Sequence, residues 1–298
     1  MTHATNINLA WIGAGAMGTP MAAHFLDAGY PLTIHTRTKT TARPLLDRGA
    51  RWAPSPAEAA DGADVAFSMV GFPDDVRDVH LGPRGTLQAT HHPRVIVDMS
   101  TTPPALAVEI HHAAHARGLG SIDAPVSGGR IGAENASLSI MVGADEHDFE
   151  LVQPLLQRLG DRIVHHGGPG AGQHAKIVNQ ILIATNIIGV CEGLLYAHMA
   201  RLDPLKVIAS VESGAAGSWS VSNFGPRMIR RDFEPTFFVE HFVKDLRIAL
   251  AEARHMKLAL PGLRLAERLY RSLLHSGRGR LGIHALLLAL EELNDIRP

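Results

Sequence analysis

Leu9-Ala10-Trp11-Ile12-Gly13-Ala14-Gly15-Ala16-Met17-Gly18 is four apolar residues followed at once by a Gly-x-Gly-x-x-Gly turn, and a helical stretch continues to Leu26. In this strand, turn and helix context the glycines have separate duties. Gly13 permits the tight turn, Gly15 lets backbone approach a pyrophosphate, and Gly18 allows the helix to pack closely on the strand. The helix start adds N–H groups without helical partners, which together with the aligned peptide dipoles attract phosphate. The motif, with Ala16 and Met17 between its glycines, predicts a dinucleotide site at the head of an α/β domain.

The chain beyond this turn alternates short β-branched runs with helix-length segments up to about residue 167, as a mainly parallel sheet requires. The runs are Leu9–Ile12, Leu32–His35, Val65–Val70, Val95–Met99, Ser121–Ala124, Leu138–Val142 and Ile163–His165. After Gly167-Gly168-Pro169-Gly170-Ala171-Gly172 the pattern becomes helical, over Gln173–Met199, Pro204–Glu212, Val239–His255, Gly262–Leu274 and Leu281–Leu293. A Rossmann domain over 1–167 and an all-α domain over 168–298 follow, with the Gly/Pro cluster as punctuation.

Composition excludes several function classes. With 46% hydrophobic and 19% charged residues the 298-residue chain can bury two cores and does not read as disordered. Its 28 basic and 29 acidic residues nearly cancel, so no global field draws nucleic acid or an anionic membrane. The single cysteine, Cys191, precludes an intramolecular disulfide and reads as a buried small residue in a reducing, cytoplasmic setting. The start of the chain lacks the pattern of a secretory signal. The longest apolar run, Ile181–Cys191, is about 11 residues and is interrupted by Thr185, Asn186 and Gly189, which predicts no membrane span.

About 20 residues past the glycines, NAD-preferring folds place a carboxylate on the ribose 2′-hydroxyl. This chain has His35-Thr36-Arg37-Thr38-Lys39 there. Arg37 and Thr38, with Lys39 beside them, suit a 2′-phosphate, so NADP is the expected cofactor with NAD as a second possibility. Further on, Asp123-Ala124-Pro125-Val126-Ser127-Gly128-Gly129 offers a hydroxyl and backbone N–H groups that can cradle an anion, although the same residues also make an ordinary turn. Lys176, Asn179 and Gln180 share one helix face at i, i+3 and i+4. A lysine in the opening turns feels the positive dipole end and any desolvation, both of which push its pKa down toward a range useful for acid and base work.

Taken in order, the glycine motif, DAPVSGG at 123–129, GAGQHAKIVNQ at 170–180 and Lys244-Asp245-Leu246 resemble the β-hydroxyacid dehydrogenase family, over about residues 7 to 293. That family includes 3-hydroxyisobutyrate dehydrogenases and 2-hydroxy-3-oxopropionate reductases. The resemblance implies that Lys176 is catalytic, that Ser127, Gly128 and Gly129 hold the substrate carboxylate, and that Asn179 and Gln180 orient it. It places Met69, Val70 and Thr101 in cofactor loops and makes Lys244 a cofactor contact. Thr36-Arg37-Thr38 is similar to the Asn-Arg-Thr/Ser triplet of NADP-using members, with Thr36 in place of Asn. The implied fold joins its domains by one long helix, Gln173–Met199, and pairs helical domains in a homodimer or homotetramer around a small-carboxylate substrate. No metal is implied.

Gly282-Ile283-His284-Ala285 departs from the family's Asp-x-Ser-Ala-like element, which would alter the pocket if His284 edged it. Reduction of a bulkier carbonyl or imine, and a cofactor-binding scaffold without turnover, are therefore the other readings. Lys176 argues against the imine reading, because imine-reducing relatives replace that lysine. Of the eighteen histidines, His91-His92, His111-His112, His115 and His165-His166 read as surface residues, and Arg227, Arg230 and Arg231 before Asp232 as a solvated helix end. Trp219 reads as a loop residue, either a substrate wall or a packed aromatic.

Overall fold

In the computed structural model, which describes residues 7–296, strand β1 (Leu9–Ile12) is buried at all four positions. Leu9 and Trp11 join one apolar cluster, Ala10 and Ile12 another, because alternate side chains point to opposite faces and both faces are covered. Strands β2 (Leu32–His35), β3 (Arg51–Trp52), β4 (Val65–Ser68), β5 (Val95–Asp98) and β6 (Gly120–Asp123) complete a six-stranded sheet of order β3-β2-β1-β4-β5-β6. Every neighbouring pair is parallel. This is the doubly wound order, whose direction reverses between β1 and β4 and so opens a crevice beyond their carboxyl ends. Helices α1 (Gly18–Asp27), α2 (Arg43–Leu46), α3 (Pro56–Ala60), α4 (Pro73–Leu81) and α5 (Pro104–His115) lie in the crossovers. The edge strand β3 escapes periodicity because it has two residues, one of them exposed.

After β6 the chain leaves that sheet. Strands β7 (Val126–Ser127), β8 (Ser139–Val142) and β9 (Arg162–His165) form a second, three-stranded sheet, with α6 (Gly129–Glu134) and α7 (Glu146–Leu156) between them. β7 runs antiparallel to β8 and β8 parallel to β9. The two sheets meet where Asp123 and Gly143 exchange both backbone hydrogen bonds, at 3.0 and 2.8 Å.

By its internal contacts the chain divides into two units at Lys176/Ile177, inside helix α8 (Ala171–Met199), whose first turns are bonded to β6 and β7. The second unit continues with α9 (Pro204–Val211), α10 (Trp219–Ile229), α11 (Val239–His255), α12 (Pro261–His275) and α13 (Leu286–Leu293). Its core gathers Ile187, Cys191, Met228, Phe242, Leu246 and Tyr270. Tyr270 meets Phe242 edge to face and donates its hydroxyl proton to the Ile283 carbonyl at 2.8 Å. Burial pushes the Cys191 thiol far above its ordinary range, so it is no nucleophile at neutral pH.

Several sequence expectations change here. α10 is absent from the periodicity because Pro226 stands inside it, and a Ser218 cap fixes its start, accepting from the Val221 N–H. Trp219 is thus the first residue of a helix, exposed and edge-on to Phe224 at 5.0 Å. Arg227 is not solvated: it clamps Asp232 through two bonds of 2.8 and 3.0 Å and donates to the Glu234 carbonyl, which holds the Asp232 carboxyl at about 2. His284 edges no opening: it is fully buried, stacked on Phe224 at 4.9 Å, with Nε2 2.7 Å from the Asp232 carbonyl oxygen. His111 and His165 are half-buried, and His165 lies flat on Phe149.

At 29 residues α8 is also far longer than its 11-residue apolar run, and is long and apolar enough by length and composition to cross a bilayer. However, 44% of its most apolar window is buried in the protein, and Ala184, Ile187, Cys191 and Leu194 belong to the core of the second unit.

Two histidines, His80 and His284, are buried, and desolvation lowers each pKa to about 4. An unfolded histidine binds a proton near pH 6.5, so between pH 6.5 and 4 the unfolded chain gains protons that these residues refuse. The thermal midpoint should fall on acidification across that window. In His284→Gln the loss should be smaller by up to about 3 kcal/mol, as read from paired melting curves; parallel curves would mean that His284 titrates normally in the folded protein.

Candidate active site

The glycine turn is held from below by Trp11, whose indole Nε1 donates to the Gly13 carbonyl at 2.8 Å while the Gly13 N–H donates to the His35 carbonyl. Gly13 has φ of +105°, and a β-carbon there would overlap the Met69 carbonyl; only glycine suits the position. A β-carbon at Gly18 would overlap the Gly13 carbonyl, so this glycine is what brings α1 against the turn. Gly15 differs, since a β-carbon there would meet nothing within 4 Å. Space therefore lies open before a helix start that has no side-chain cap and no acidic residue in its first turn. This cradle fits a pyrophosphate.

At the end of β2, Arg37 is 86% exposed and pairs with Asp75 of α4 at 3.1 Å. The Thr36 and Thr41 hydroxyls lie 3.2 Å apart, and Thr41 also donates to the Thr38 carbonyl. Lys39 sits over the Trp52 ring at 4.7 Å. Asp75 thus brings a carboxylate to Arg37 from another element.

The loops after β4 and β5 rest on one buried polar chain. Ser68 donates to Asp98 at 2.8 Å and therefore accepts from His80 Nε2 at 2.9 Å, which leaves His80 Nδ1 to accept from Thr86 at 2.9 Å. Asp98 also accepts from the Ser100 N–H, and the Ser100 hydroxyl accepts from the Val70 N–H at 2.9 Å. Met69 is fixed by its N–H on the Ile12 carbonyl. The segments holding Met69, Val70 and Thr101 are thus positioned from inside the protein.

The same chain reaches α8. Gln173 accepts from the Thr102 N–H at 3.0 Å and donates to the Ser100 carbonyl at 2.8 Å. The Asp123 carboxylate accepts from the Gly170 N–H at 2.7 Å and the Gln173 N–H at 2.8 Å. Burial lifts the Asp123 pKa to about 6 against the pull of those two N–H groups, and the neighbouring Asp98 charge lifts it further. One turn on, Lys176 is buried at 7% exposure, and its Nζ donates to the Val126 carbonyl at 2.7 Å. Ser127 follows directly, half-buried at the end of β7, and Gly128 and Gly129 have φ of +131° and +59°, a backbone that glycine adopts without strain. Lys176 is therefore seated beside the 127–129 segment.

In the second unit Asn179 donates to Gln180 Oε1 at 2.7 Å, and Gln180 Nε2 donates to Asp245 Oδ2 at 2.6 Å. Lys244 Nζ lies 3.0 Å from Asp245 Oδ1. Gln180 and Asp245 are each 2% exposed, so Gln180 spends its amide on orienting Asn179 rather than reaching outward. Asp98, Asp123, Gln173 and Asp245 go unassigned in the sequence reading. The available signal was position alone: two strand-end aspartates, a glutamine in the Gly-rich helix start, and an acid directly after Lys244. Among the described residues, no three His, Cys, Asp or Glu side chains gather as a metal-holding group.

Comparison with known proteins agrees with this arrangement. Residues 8–168 match the family described as the NAD binding domain of 6-phosphogluconate dehydrogenase, and residues 170–290 match the NAD-binding domain of NADP-dependent 3-hydroxyisobutyrate dehydrogenase. The chain is 48% identical to a probable 3-hydroxyisobutyrate dehydrogenase-like 1 protein, mitochondrial, of Arabidopsis thaliana, over 98% of this chain and 87% of that protein. It is 39% identical to the 2-hydroxy-3-oxopropionate reductase of Escherichia coli, over 96% and 97%. The 3-hydroxyisobutyrate dehydrogenase of Mycobacterium tuberculosis, solved with L-serine, superposes with a TM-score of 0.87 at 28% identity, covering 96% of this chain and 99% of the other.

The contrast between the glycines is testable. Gly15→Ala should melt within about 1 kcal/mol of the parent, because the methyl enters open space, yet lose at least about tenfold in nicotinamide dinucleotide affinity, since the methyl stands where the pyrophosphate approaches. Gly13→Ala should lose stability as well as affinity. Calorimetry and cofactor titration of both variants separate the two effects, and unchanged cofactor affinity in Gly15→Ala would rule out the pyrophosphate position.

Proposed function

Because the chain belongs to the β-hydroxyacid dehydrogenase family and is an NAD(P)-dependent β-hydroxyacid oxidoreductase, we propose that Lys176 is its general acid and base in interconverting a short β-hydroxy acid and its semialdehyde. The observation that carries this reading is the Lys176 Nζ bond to Val126, which seats a buried amine beside Ser127, Gly128 and Gly129. Those three residues hold the substrate carboxylate through the hydroxyl and backbone N–H groups, and Asn179, oriented by Gln180, binds the reacting oxygen. When bound, the nicotinamide accepts or supplies the hydride. In oxidation Lys176 Nζ takes the hydroxyl proton, and in reduction it returns that proton to the carbonyl oxygen. The substrate is of the 3-hydroxyisobutyrate or 2-hydroxy-3-oxopropionate type.

On the cofactor side, Gly13, Gly15, Ala16, Met17 and Gly18 would receive the pyrophosphate, and Met69, Val70, Thr101 and Lys244 would be further cofactor contacts. Arg37 and Thr38, with Thr36, favour NADP over NAD. The Arg37–Asp75 pair is compatible with this choice: an exposed ion pair is weak, so Arg37 can exchange Asp75 for a 2′-phosphate.

The helical unit carries exposed Tyr196, Met199, Leu202 and Leu205, an apolar surface that supports self-association into a homodimer or homotetramer. The buried, lone Cys191 suits a cytoplasmic setting.

Lys176→Ala should lower kcat by about 10²-fold or more with cofactor affinity retained, as read from turnover of 3-hydroxyisobutyrate and 2-hydroxy-3-oxopropionate beside a cofactor titration. Full turnover in that variant would remove the lysine from the mechanism. Arg37→Ala should weaken NADPH binding by about tenfold and leave NADH binding nearly unchanged; equal losses for both would refute the 2′-phosphate assignment.

A further inference from the structure

The segment from Asp123 to Val126 grips the start of α8 twice. Its carboxylate takes the Gly170 and Gln173 N–H groups, and its Val126 carbonyl takes the Lys176 ammonium. The approach leaves no slack: a β-carbon on Gly172 would stand 2.7 Å from the Asp123 carbonyl oxygen and 2.8 Å from its Oδ2. We infer that Asp123 is the positioning residue for proton transfer, its ionised carboxylate fixing the register in which α8 presents Lys176 to the Ser127–Gly129 segment. This rests on the assignment of Lys176 as acid and base.

The chemistry demands a charge at this place. Two N–H donors converge on two carboxylate oxygens, whereas an amide offers one acceptor and turns a donor against the remaining N–H, and a protonated carboxyl meets that N–H with a hydroxyl oxygen, a weaker acceptor. The surroundings oppose that charge. Asp98 of β5 is the in-register neighbour of Asp123. His80 of α4, Asp98, Ser121 and Asp123 line a cavity of about 10 Å³, with Ile96, Ala107, Ile110 and Ile122 as its apolar wall. That volume is at the threshold for a single water molecule. His80 is neutral, with its Nε2 proton given to Ser68, so it does not compensate either carboxylate. On α8 the facing charged group is Lys176, held one turn on at Val126.

Protonation of Asp123 therefore weakens one of the three hydrogen bonds that hold the helix start to this segment. Because its pKa is lifted to about 6, the ionised form is present above that pH and is lost as pH falls through it. Turnover carries an acid limb near pH 6 that belongs to Asp123 and not to a group that touches substrate.

The experiment is the pH dependence of kcat, with a cofactor titration, for the parent, Asp123→Asn, Asp98→Asn and Lys176→Ala. Asp123→Asn should lower kcat by about tenfold to a hundredfold, the penalty of a displaced catalytic group, while its cofactor affinity stays within about twofold and the acid limb vanishes. Asp98→Asn removes the like charge and should move the limb to lower pH, which keeps the inference testable if Asp123→Asn does not fold. An acid limb that persists in Asp123→Asn, or one that Asp98→Asn does not move, overturns the inference while leaving Lys176 in place. Turnover by Lys176→Ala overturns the mechanism itself and the inference with it.

Discussion

A helix start leaves its first N–H groups without partners inside the helix, and at α8 two groups from this region, of Gly170 and Gln173, end on the Asp123 carboxylate. Much else depends on that closure. It brings the Gly-rich approach to α8 against β6, joins the two sheets at the Asp123–Gly143 bridge, and sets the turn on which Lys176 stands. A buried charge is tolerated there because it is satisfied from two directions, although burial and the adjacent Asp98 keep it near the edge of ionisation. The result is a stiff but conditional anchor.

Each unit carries its own polar chain, and one helix supplies members of both. In the first unit His80, Ser68, Asp98, Ser100 and Gln173 run from α4 to the start of α8, beneath the segments that hold Met69, Val70 and Thr101. In the second, Asn179, Gln180, Asp245 and Lys244 run from α8 to α11. The chemistry proposed for Lys176 and Asn179 thus depends on hydrogen-bonded neighbours, Asp123 at the helix start and Gln180 with Asp245 farther along, that fix where those two side chains stand.

The sheet was legible because its physics is local. β1 and the glycine turn lie within ten residues, β4 and β5 are buried at every position, and the ends of the strands read from the sequence fall within a residue or two of their positions in the fold. α10 was hidden because Pro226 interrupts the helical pattern, and β7 and β3 because two residues establish no period. The separate second sheet was hidden because pairing partners are not encoded by the strands themselves. Among site residues, Lys176, Ser127 and the glycines stand in recognisable runs. Asp75, Asp98 and Asp245 act through partners 38, 30 and 65 positions away in the chain, a separation that no spacing rule reaches. His284 shows the reverse error: a residue conspicuous in sequence that the fold uses as a buried, neutral ring between Phe224 and Phe233.

The packing of Trp11 has an optical consequence. Its ring is wholly buried, stacked near Phe67 at 5.7 Å, and its indole proton is committed to the carbonyl of the first glycine in the nucleotide turn. Trp219, by contrast, is 56% exposed at the head of a helix in the other unit. An indole shielded from water emits to the blue of one in contact with it, so once the half-buried Trp52 is replaced by Phe the two remaining fluorophores, Trp11 and Trp219, separate by wavelength. Trp11 is thereby an intrinsic gauge of the glycine turn, readable without an added label, in which a rearrangement of the Gly13 carbonyl reaches the chromophore through a single hydrogen bond.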